Sequence, residues 1–283
     1  MFEKNTLQEK SILVTGGGSG LGLSMAKHFA KFGAKVAICG RSQNRLDKAA
    51  VELAKSGSKI FTYSVDVRDY EAVGTMMDRV IDEFGELNGL VNNAAGNFLS
   101  ATEDLSPNGF KSIVDIVLHG TFNSTHHFGK RLIDSNKPGV IVNIVTTYAE
   151  NGCGFVVPSA CAKAGVLAMT KSLAFEWATY GIRLNAIAPG PFPTEGAWMR
   201  LMPNKEMEEK FKKRIAMGRY GEHYELANLA VYLMSDLSPY LTGDCVTIDG
   251  GERLQAGQFN YLAEIAPRPE LRKALQMMKP KKK

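Results

Sequence analysis

Short apolar runs alternate with longer amphipathic stretches along nearly the whole chain. Seven runs have the length of buried strands, at residues 11–15, 35–39, 60–65, 87–91, 140–145, 182–188 and 245–248. Between them, apolar positions recur with a helical period, most clearly at residues 43–57, 69–84, 107–133, 159–180 and 222–235. Strands that alternate with helices predict an α/β fold: a doubly wound parallel sheet of the Rossmann type, flanked by helices.

The alternation continues without a linker or an internal repeat, so residues 1–283 are predicted to form a single domain. One interruption follows the sixth strand, where three prolines fall within residues 189–193. Residues 191–218 show little strand pattern, and we interpret them as a mobile substrate lid. Residues 252–283 follow the last strand as a C-terminal extension.

Charge and hydropathy exclude several classes of partner. The net charge is +5, of which Lys279, Lys281, Lys282 and Lys283 supply four, leaving about +1 for the rest (5 − 4). A basic body for nucleic acid is therefore not predicted. No apolar run reaches the roughly 18 residues of a membrane span. The first residues lack the pattern of a signal or transit peptide, so we expect a cytoplasmic protein.

The four cysteines are scattered through the chain without a Cys-x-x-Cys pair. We interpret Cys39, Cys153, Cys161 and Cys245 as reduced residues in or near the core, in a reducing compartment. No group of residues has metal-ligand spacing, so no metal site is predicted.

A glycine-rich turn joins the first strand to the first helix. It reads Thr-Gly-x-x-x-Gly-x-Gly from Thr15 to Gly22, not Gly-x-Gly-x-x-Gly. Such a turn lets the backbone approach a pyrophosphate at a helix N-terminus, where free N–H groups favour anions. We therefore expect a dinucleotide at this turn.

The end of the second strand indicates which dinucleotide binds. An acidic residue there would accept the ribose 2′-hydroxyl of NAD, but this chain has Arg41 followed by Ser42. An arginine pairs with a 2′-phosphate and stacks over adenine. We therefore favour NADP(H); the alternative is a solvent-exposed loop arginine.

A second stretch with chemistry follows the fifth strand. Pro158 and Ser159 are helix-start signals, with Ser159 in the cap position. Ser159 and Lys163 are four residues apart and share a helical face. Tyr148 lies on the far side of a glycine-containing loop and could meet Lys163, whose charge would favour ionisation of the phenol. The alternative is a surface tyrosine and a helix-face lysine without chemistry.

These motifs together resemble the short-chain dehydrogenase/reductase superfamily. The resemblance covers nearly the whole chain and is carried by Thr15-Gly16, Gly20-Leu21-Gly22, Asp66-Val67, Asn92-Asn93-Ala94, Pro189-Gly190 and Asp249-Gly250-Gly251. In that superfamily a catalytic tyrosine usually precedes the lysine by four residues, and here Ser159 stands in that position.

More specific motifs resemble the 2,4-dienoyl-CoA reductase branch, in which the tyrosine precedes the loop as Tyr148 does. They are residues 92–98, 146–150, 154–159, 189–191 with 196–197, and 251–260. One departure is His119, where that branch has asparagine; we assign it no catalytic role.

The resemblance implies a reaction and a set of site residues. A hydride from NADPH reaches the distal carbon of the diene, charge moves onto the thioester oxygen, and protonation next to the thioester gives trans-3-enoyl-CoA. The implied catalytic residues are Tyr148 and Asn97 as donors to that oxygen, with Lys163 and Ser159 supporting them. The cofactor-binding positions expected from the turn, the strand ends and the resemblance are Thr15, Gly16, Ser19, Gly20, Leu21, Gly22, Arg41, Ser42, Asp66, Val67, Asn93, Ala94, Lys163, Pro189 and Gly190.

Two other functions stay open from the sequence. A trans-2-enoyl-CoA reductase would use the same donors, with the hydride delivered one double bond closer to the thioester. A non-catalytic NADP-binding homologue would explain the loss of the usual tyrosine. The resemblance also implies a homotetramer acting on acyl-CoA in fatty acid β-oxidation.

Overall fold

A single parallel sheet organises the computed structural model, which describes residues 2–194 and 204–278. In these residues, seven parallel strands follow the order β3-β2-β1-β4-β5-β6-β7. The strands are β1 (Ser11–Thr15), β2 (Lys35–Gly40), β3 (Ile60–Ser64), β4 (Gly89–Asn92), β5 (Gly139–Ile144), β6 (Ile182–Pro189) and β7 (Cys245–Ile248). The predicted α/β fold is confirmed. The chain reverses direction across the sheet between β1 and β4, which is where open α/β sheets bind ligands.

Helices connect the strands and cover both faces of the sheet. The described part of the chain contains α1 (Gly20–Lys31), α2 (Gln43–Ala54), α3 (Tyr70–Phe84), α4 (Pro107–Val114), α5 (Gly120–Asp134), α6 (Val157–Glu176), α7 (Lys205–Lys213), α8 (His223–Met234), α9 (Leu262–Ile265) and α10 (Arg268–Met277). None of these helices combines the length and apolar composition needed to cross a membrane.

The core consists of two apolar layers, one on each side of the sheet. Ile12 and Val14 of β1 point into a layer shared with α1, α2 and α8, whereas Leu13 points into the layer of α3, α5 and α6. This alternation follows from the two-residue period of a strand. It explains why the strands are apolar at consecutive positions, since both of their faces are buried.

The predicted helix over 107–133 is interrupted in the structure. α4 ends at Val114, a wider π-helical turn covers Asp115–His119, and α5 begins at Gly120. Two features accompany the interruption. The Thr121 hydroxyl donates to the Val117 carbonyl at 2.6 Å, and Gly120 packs so closely that an added Cβ would lie 2.6 Å from Val67. No local sequence signal distinguishes this turn from a regular helix.

The predicted start of the next helix was also wrong. α6 begins at Val157, with Val156 as its cap residue, so Ser159 lies inside the first turn and does not cap the helix. The helix ends at Glu176, and a 3-10 turn at Ala178–Tyr180 leads to Gly181 in the left-handed region, with a φ of 73°.

The predicted lid falls partly outside the described residues, which omit 195–203. Beyond that gap, residues that showed no clear pattern form α7, capped by the Asn204 side chain, which accepts from the Met207 N–H at 2.9 Å. The prediction for the cysteines needs correction. All four are free and Cys39 is buried, but Cys153 and Cys161 are exposed.

Candidate active site

Two adjoining cavities open at the carboxyl ends of β1, β4 and β5. The first, of about 430 Å³, follows the glycine turn and is here called the glycine-turn cavity. The second, of about 330 Å³, contains Tyr148 and is called the Tyr148 cavity. Leu21, Asn93 and Ala95 line both, so the two cavities form one continuous cleft.

The glycine turn has a shape that side chains would prevent. Gly16 and Gly20 have positive φ angles of 65° and 55°, which favour glycine. A Cβ on Gly22 would lie 2.5 Å from both the Asn93 amide nitrogen and the Gly16 carbonyl oxygen. Ser19 precedes α1 without a side-chain capping bond, so the first N–H groups of α1 remain available to an anion.

A hydrogen-bonded junction fixes this turn to β4. The Thr15 hydroxyl accepts from the Asn93 and Ala94 N–H groups, both at 3.0 Å. The Asn93 amide donates to the Thr15 carbonyl, also at 3.0 Å. Thr15 and Gly22 therefore shape the glycine-turn cavity from behind and do not line it.

Of the predicted cofactor-binding residues, most line this cleft. The glycine-turn cavity is lined by Gly16, Ser19, Gly20, Leu21, Arg41, Ser42, Asp66, Val67, Asn93 and Ala94. Lys163 and Pro189 line the Tyr148 cavity. Gly190 lines neither cavity, and a Cβ there would lie 2.6 Å from Asp249 Cβ, so it allows β6 and the end of β7 to approach each other.

The far end of the glycine-turn cavity is positively charged. Arg41 and Arg45 both line it, and neither forms an ion pair within the described residues. Asp66 is paired with Arg68, whose Nη2 lies 2.6 Å from Oδ2. This hydrogen bond lowers the pKa of Asp66, so the carboxylate stays ionised.

Sequence reasoning missed Arg45. Its position in the first turn of α2 could have indicated an anion site, because the helix dipole disfavours a cation there unless an anion lies nearby.

Three predicted catalytic residues are joined in the Tyr148 cavity. Tyr148 lies on a 3-10 turn, Thr147–Ala149, directly after β5. Its hydroxyl is 3.1 Å from Ser159 Oγ, and the Asn97 amide nitrogen lies 3.5 Å from the same hydroxyl. Ser159 is buried, and its hydroxyl serves this contact in place of a helix cap.

Lys163 lines the same cavity but does not bond to Tyr148. Its ammonium group donates to the Ile144 carbonyl at the end of β5, and its side chain is buried. Burial lowers the pKa of Lys163 to about 8. The buried amine therefore loses its proton at a lower pH than a lysine in water.

The expected ionisation of Tyr148 is wrong for this structure. Burial raises the pKa of Tyr148, and the hydrogen bond from Ser159 opposes this effect only in part. The phenol is thus a neutral hydroxyl that can donate a hydrogen bond, with Asn97 supplying a second donor beside it.

Thr146 belongs to the cleft, whereas His119 does not. Thr146 also lines the Tyr148 cavity; it directly follows the apolar run of β5, a position where parallel strands commonly present functional side chains. His119 lines neither cavity; it is exposed and bonds to Asp115 at 3.1 Å. No group of three or more metal-ligating side chains occurs in the residues that the structure describes.

Comparisons with known proteins agree with this architecture. Residues 16–252 match the family model described as enoyl-(acyl carrier protein) reductase. A crystal structure of a short chain dehydrogenase from Bacillus anthracis is 43% identical, with a TM-score of 0.82, over 88% of this chain and 99% of that one. The chain therefore belongs to the short-chain dehydrogenase/reductase family.

Two similar proteins carry names of one branch of this family, the 2,4-dienoyl-CoA reductases. A Caenorhabditis elegans protein named probable 2,4-dienoyl-CoA reductase 3, (3E)-enoyl-CoA-producing, is 45% identical over 89% of this chain and 83% of its own. A Bacillus subtilis protein named probable 2,4-dienoyl-CoA reductase, (2E)-enoyl-CoA-producing, is 40% identical over 89% of this chain and 100% of its own. The resemblance stated from the motifs is confirmed.

Proposed function

We propose that this protein is an NADPH-dependent 2,4-dienoyl-CoA reductase that forms trans-3-enoyl-CoA in the β-oxidation of unsaturated acyl chains. The observation that carries the proposal is the position of Tyr148. Its hydroxyl lies on the turn after β5, within reach of Asn97 and Ser159, while Ser159 occupies the helical position four residues before Lys163. The donors thus converge at a place suited to an oxygen several bonds away from the reduced carbon.

The glycine-turn cavity fits a phosphorylated dinucleotide. Its turn has no room for a Cβ at Gly22, the N-terminus of α1 faces it, and Arg41 and Arg45 supply cations at its far end. Two guanidinium groups suit a 2′-phosphate better than a free ribose hydroxyl. When bound, NADPH would supply the hydride that reduces the diene.

The side chains of the Tyr148 cavity then have distinct tasks. Tyr148 and Asn97 donate hydrogen bonds to the thioester oxygen as negative charge builds on it, which lowers the barrier. Because burial raises the pKa of Tyr148, the phenol keeps its proton and remains a donor. Ser159 orients the phenol, and the Lys163 ammonium group holds the nicotinamide ribose.

The place of protonation decides the product. After reduction at the distal carbon, a proton on the carbon next to the thioester gives the 3-enoyl product, and a proton two carbons further gives the 2-enoyl product. The two relatives described above carry names that differ on this point. We propose the 3-enoyl product, because the carbon next to the thioester lies nearest to the oxygen that Tyr148 and Asn97 hold.

The deciding experiment measures NADPH oxidation with a 2,4-dienoyl-CoA and a trans-2-enoyl-CoA in parallel, with the product double bond located by NMR. Faster turnover of the diene with a trans-3 product supports the proposal. Preference for the monoene would instead make this a trans-2-enoyl-CoA reductase. Tight NADPH binding without turnover of either substrate would indicate a non-catalytic homologue.

We also propose that the protein assembles as a homotetramer. Two exposed aromatic side chains support this: Phe122 on α5 is 47% exposed, and Phe175 on α6 is 89% exposed. Contact with another subunit would remove the apolar surface of these rings from water, which is favourable. Light scattering after size-exclusion chromatography tests the proposal, and a monomeric mass would contradict it.

A further inference from the structure

Phe155, in the loop before α6, is unfavourable in two respects. Its φ angle is +65°, in the left-handed region that a bulky residue rarely adopts. Its ring is 66% exposed, so the side chain contributes little to the core. Glycine would be less strained at this position, and the neighbouring Gly152 already has a φ of 75°. Folding alone therefore gives no reason for a phenylalanine here, and strained residues of this kind cluster at functional sites.

A backbone hydrogen bond connects Phe155 to the donor loop of the active site. The Ser100 N–H donates to the Phe155 carbonyl at 2.9 Å. Ser100 follows Asn97 by three residues, and Phe155 precedes Ser159 by four, so the bond joins the two segments that carry the donor amide and the serine. Phe155 thus lies at the rim of the Tyr148 cavity and not at a distant surface.

The rim formed by residues 97–101 and 150–156 exposes apolar side chains and contains no lysine or arginine. Phe98 and Leu99 are also exposed, at 37% and 51%. The single charged residue of these segments is Glu150. Glu150 lies 3.9 Å from Lys171 of α6, so its charge already has a partner, and the exposed apolar side chains of the rim would stabilise a hydrocarbon chain.

We propose that Phe155 is a specificity-determining residue: its ring packs against the acyl chain of the substrate beyond the diene, and it sets the preference for chain length. This rests on the proposed function, since the ligand is an acyl thioester. The bond from Ser100 holds the loop of Phe155 beside the segment that carries Asn97.

The experiment compares kcat/KM for 2,4-decadienoyl-CoA with that for 2,4-hexadienoyl-CoA. In Phe155→Ala and Phe155→Gly, the ratio of the longer to the shorter substrate is expected to fall about tenfold, because several methylenes lose an apolar contact. Phe155→Tyr retains the ring and the ratio. Tyr240→Ala is the matched control: Tyr240 is fully exposed and lies near the start of β5 and β6, at the opposite edge of the sheet.

Two further measurements keep this test separate from other effects. Phe155→Gly relieves the backbone strain, whereas Phe155→Ala does not, so the two variants should differ in melting temperature. If both nevertheless lose the chain-length preference, the loss comes from the missing contact with the substrate and not from a change in stability. The proposal is overturned if the ratio is unchanged, or if the effect vanishes when N-acetylcysteamine thioesters replace the CoA substrates.

If the protein turns over no dienoyl-CoA at all, the proposed function fails, yet the contact can still be tested. Calorimetric affinities of decanoyl-CoA and hexanoyl-CoA would then be compared between the unaltered protein and Phe155→Ala. Equal loss for both chains, or no loss for either, would overturn the role of Phe155.

Discussion

The hydroxyl groups of Tyr148 and Ser159 lie 3.1 Å apart although the residues are eleven positions apart in the chain. Tyr148 stands on the turn after β5 and Ser159 in the first turn of α6, so the contact closes the loop between them. The serine occupies the helical position four residues before Lys163, where the superfamily resemblance would place a tyrosine. The phenol is thereby moved away from Lys163 and towards Asn97, whose amide lies 3.5 Å from it.

Removal of the phenol hydroxyl tests whether this displaced tyrosine is catalytic. In Tyr148→Phe, kcat for the dienoyl substrate is expected to fall by about 10²–10³, the usual effect of losing one donor to a developing oxyanion. The affinity for NADPH should stay within about twofold of that of the unaltered protein, since the contacts between the protein and the cofactor are unchanged. Tyr180→Phe, an exposed tyrosine beyond α6, serves as control. Unchanged turnover in Tyr148→Phe would show that another group holds the oxygen.

The pH dependence of kcat/KM should follow the protonation of Lys163. Burial lowers its pKa to about 8, so the ammonium form present below that pH is lost as pH rises through it. A positive charge beside the cavity favours negative charge on the substrate oxygen, and kcat/KM is therefore expected to decline above about pH 8. Tyr148 does not account for this decline, because burial raises its pKa.

The matched variant for this profile is Lys163→Arg. Arginine remains protonated throughout the accessible range, so the alkaline decline should move to higher pH even if overall activity is lower. A decline at the same pH in both proteins would assign it to another group.

Cofactor choice should depend on the two arginines of the glycine-turn cavity. Arg41→Ala and Arg45→Ala should each raise the KM for NADPH by about tenfold or more, because a charge-assisted contact with the 2′-phosphate is lost. The KM for NADH should change little, since that cofactor lacks the phosphate. Arg79→Ala, an exposed arginine of α3 outside the cavity, controls for general loss of charge. Equal effects on both cofactors would contradict the NADP assignment.

A buried amide chain supports the strands under the site. The Asn92 amide donates to Asn143 Oδ1 at 2.8 Å, and the Asn143 amide donates to Thr170 Oγ1 at 2.8 Å, which joins β4, β5 and α6. In Asn143→Ala the Asn92 amide keeps its bond to Thr125 but loses the acceptor of its other N–H, and Thr170 keeps its bond to the Val166 carbonyl. The free energy of unfolding should therefore fall by about 1–3 kcal/mol. Asn44→Ala, on the exposed surface of α2, should change it by less than about 0.5 kcal/mol in the same urea titration.

Much of the fold could be predicted because the apolar runs of the strands and the helical period of the helices are both clear in this sequence. The apolar runs of β1 and β5 are buried on both faces, and helix α3 buries Val73, Met76 and Val80 with helical spacing. The π-helical turn at Asp115–His119 could not be predicted, because the apolar positions of residues 107–133 keep one helical period through it.

The residues of the candidate site could be predicted from the sequence, but not all of their contacts could. Tyr148, Ser159, Asn97 and Lys163 were all expected, and all line one cavity. The resemblance already implied that Ser159 bonds to the cofactor or to the tyrosine cluster, and its hydroxyl lies 3.1 Å from that of Tyr148. The capping role that helix-start statistics gave Ser159 was wrong, because Val156 is the cap residue of α6. The direction of the Tyr148 pKa shift also depends on burial, which the local sequence does not determine.

The close approach of Gly22 to Asn93 links the fold to the cofactor and gives the last prediction. An alanine at Gly22 would place its Cβ 2.5 Å from the Asn93 amide nitrogen and from the Gly16 carbonyl oxygen. Either the turn or β4 must shift, so the free energy of unfolding should fall by about 1–3 kcal/mol. NADPH affinity should fall at least about tenfold as well, because the same turn positions the backbone at the pyrophosphate.

Gly57→Ala is the control, since Gly57 also has a positive φ, of 81°, but no atom lies within 4 Å of the added Cβ. It should lose stability through backbone strain while binding NADPH normally. Calorimetric titration of both variants distinguishes the two effects, and normal NADPH affinity in Gly22→Ala would show that the turn does not hold the cofactor.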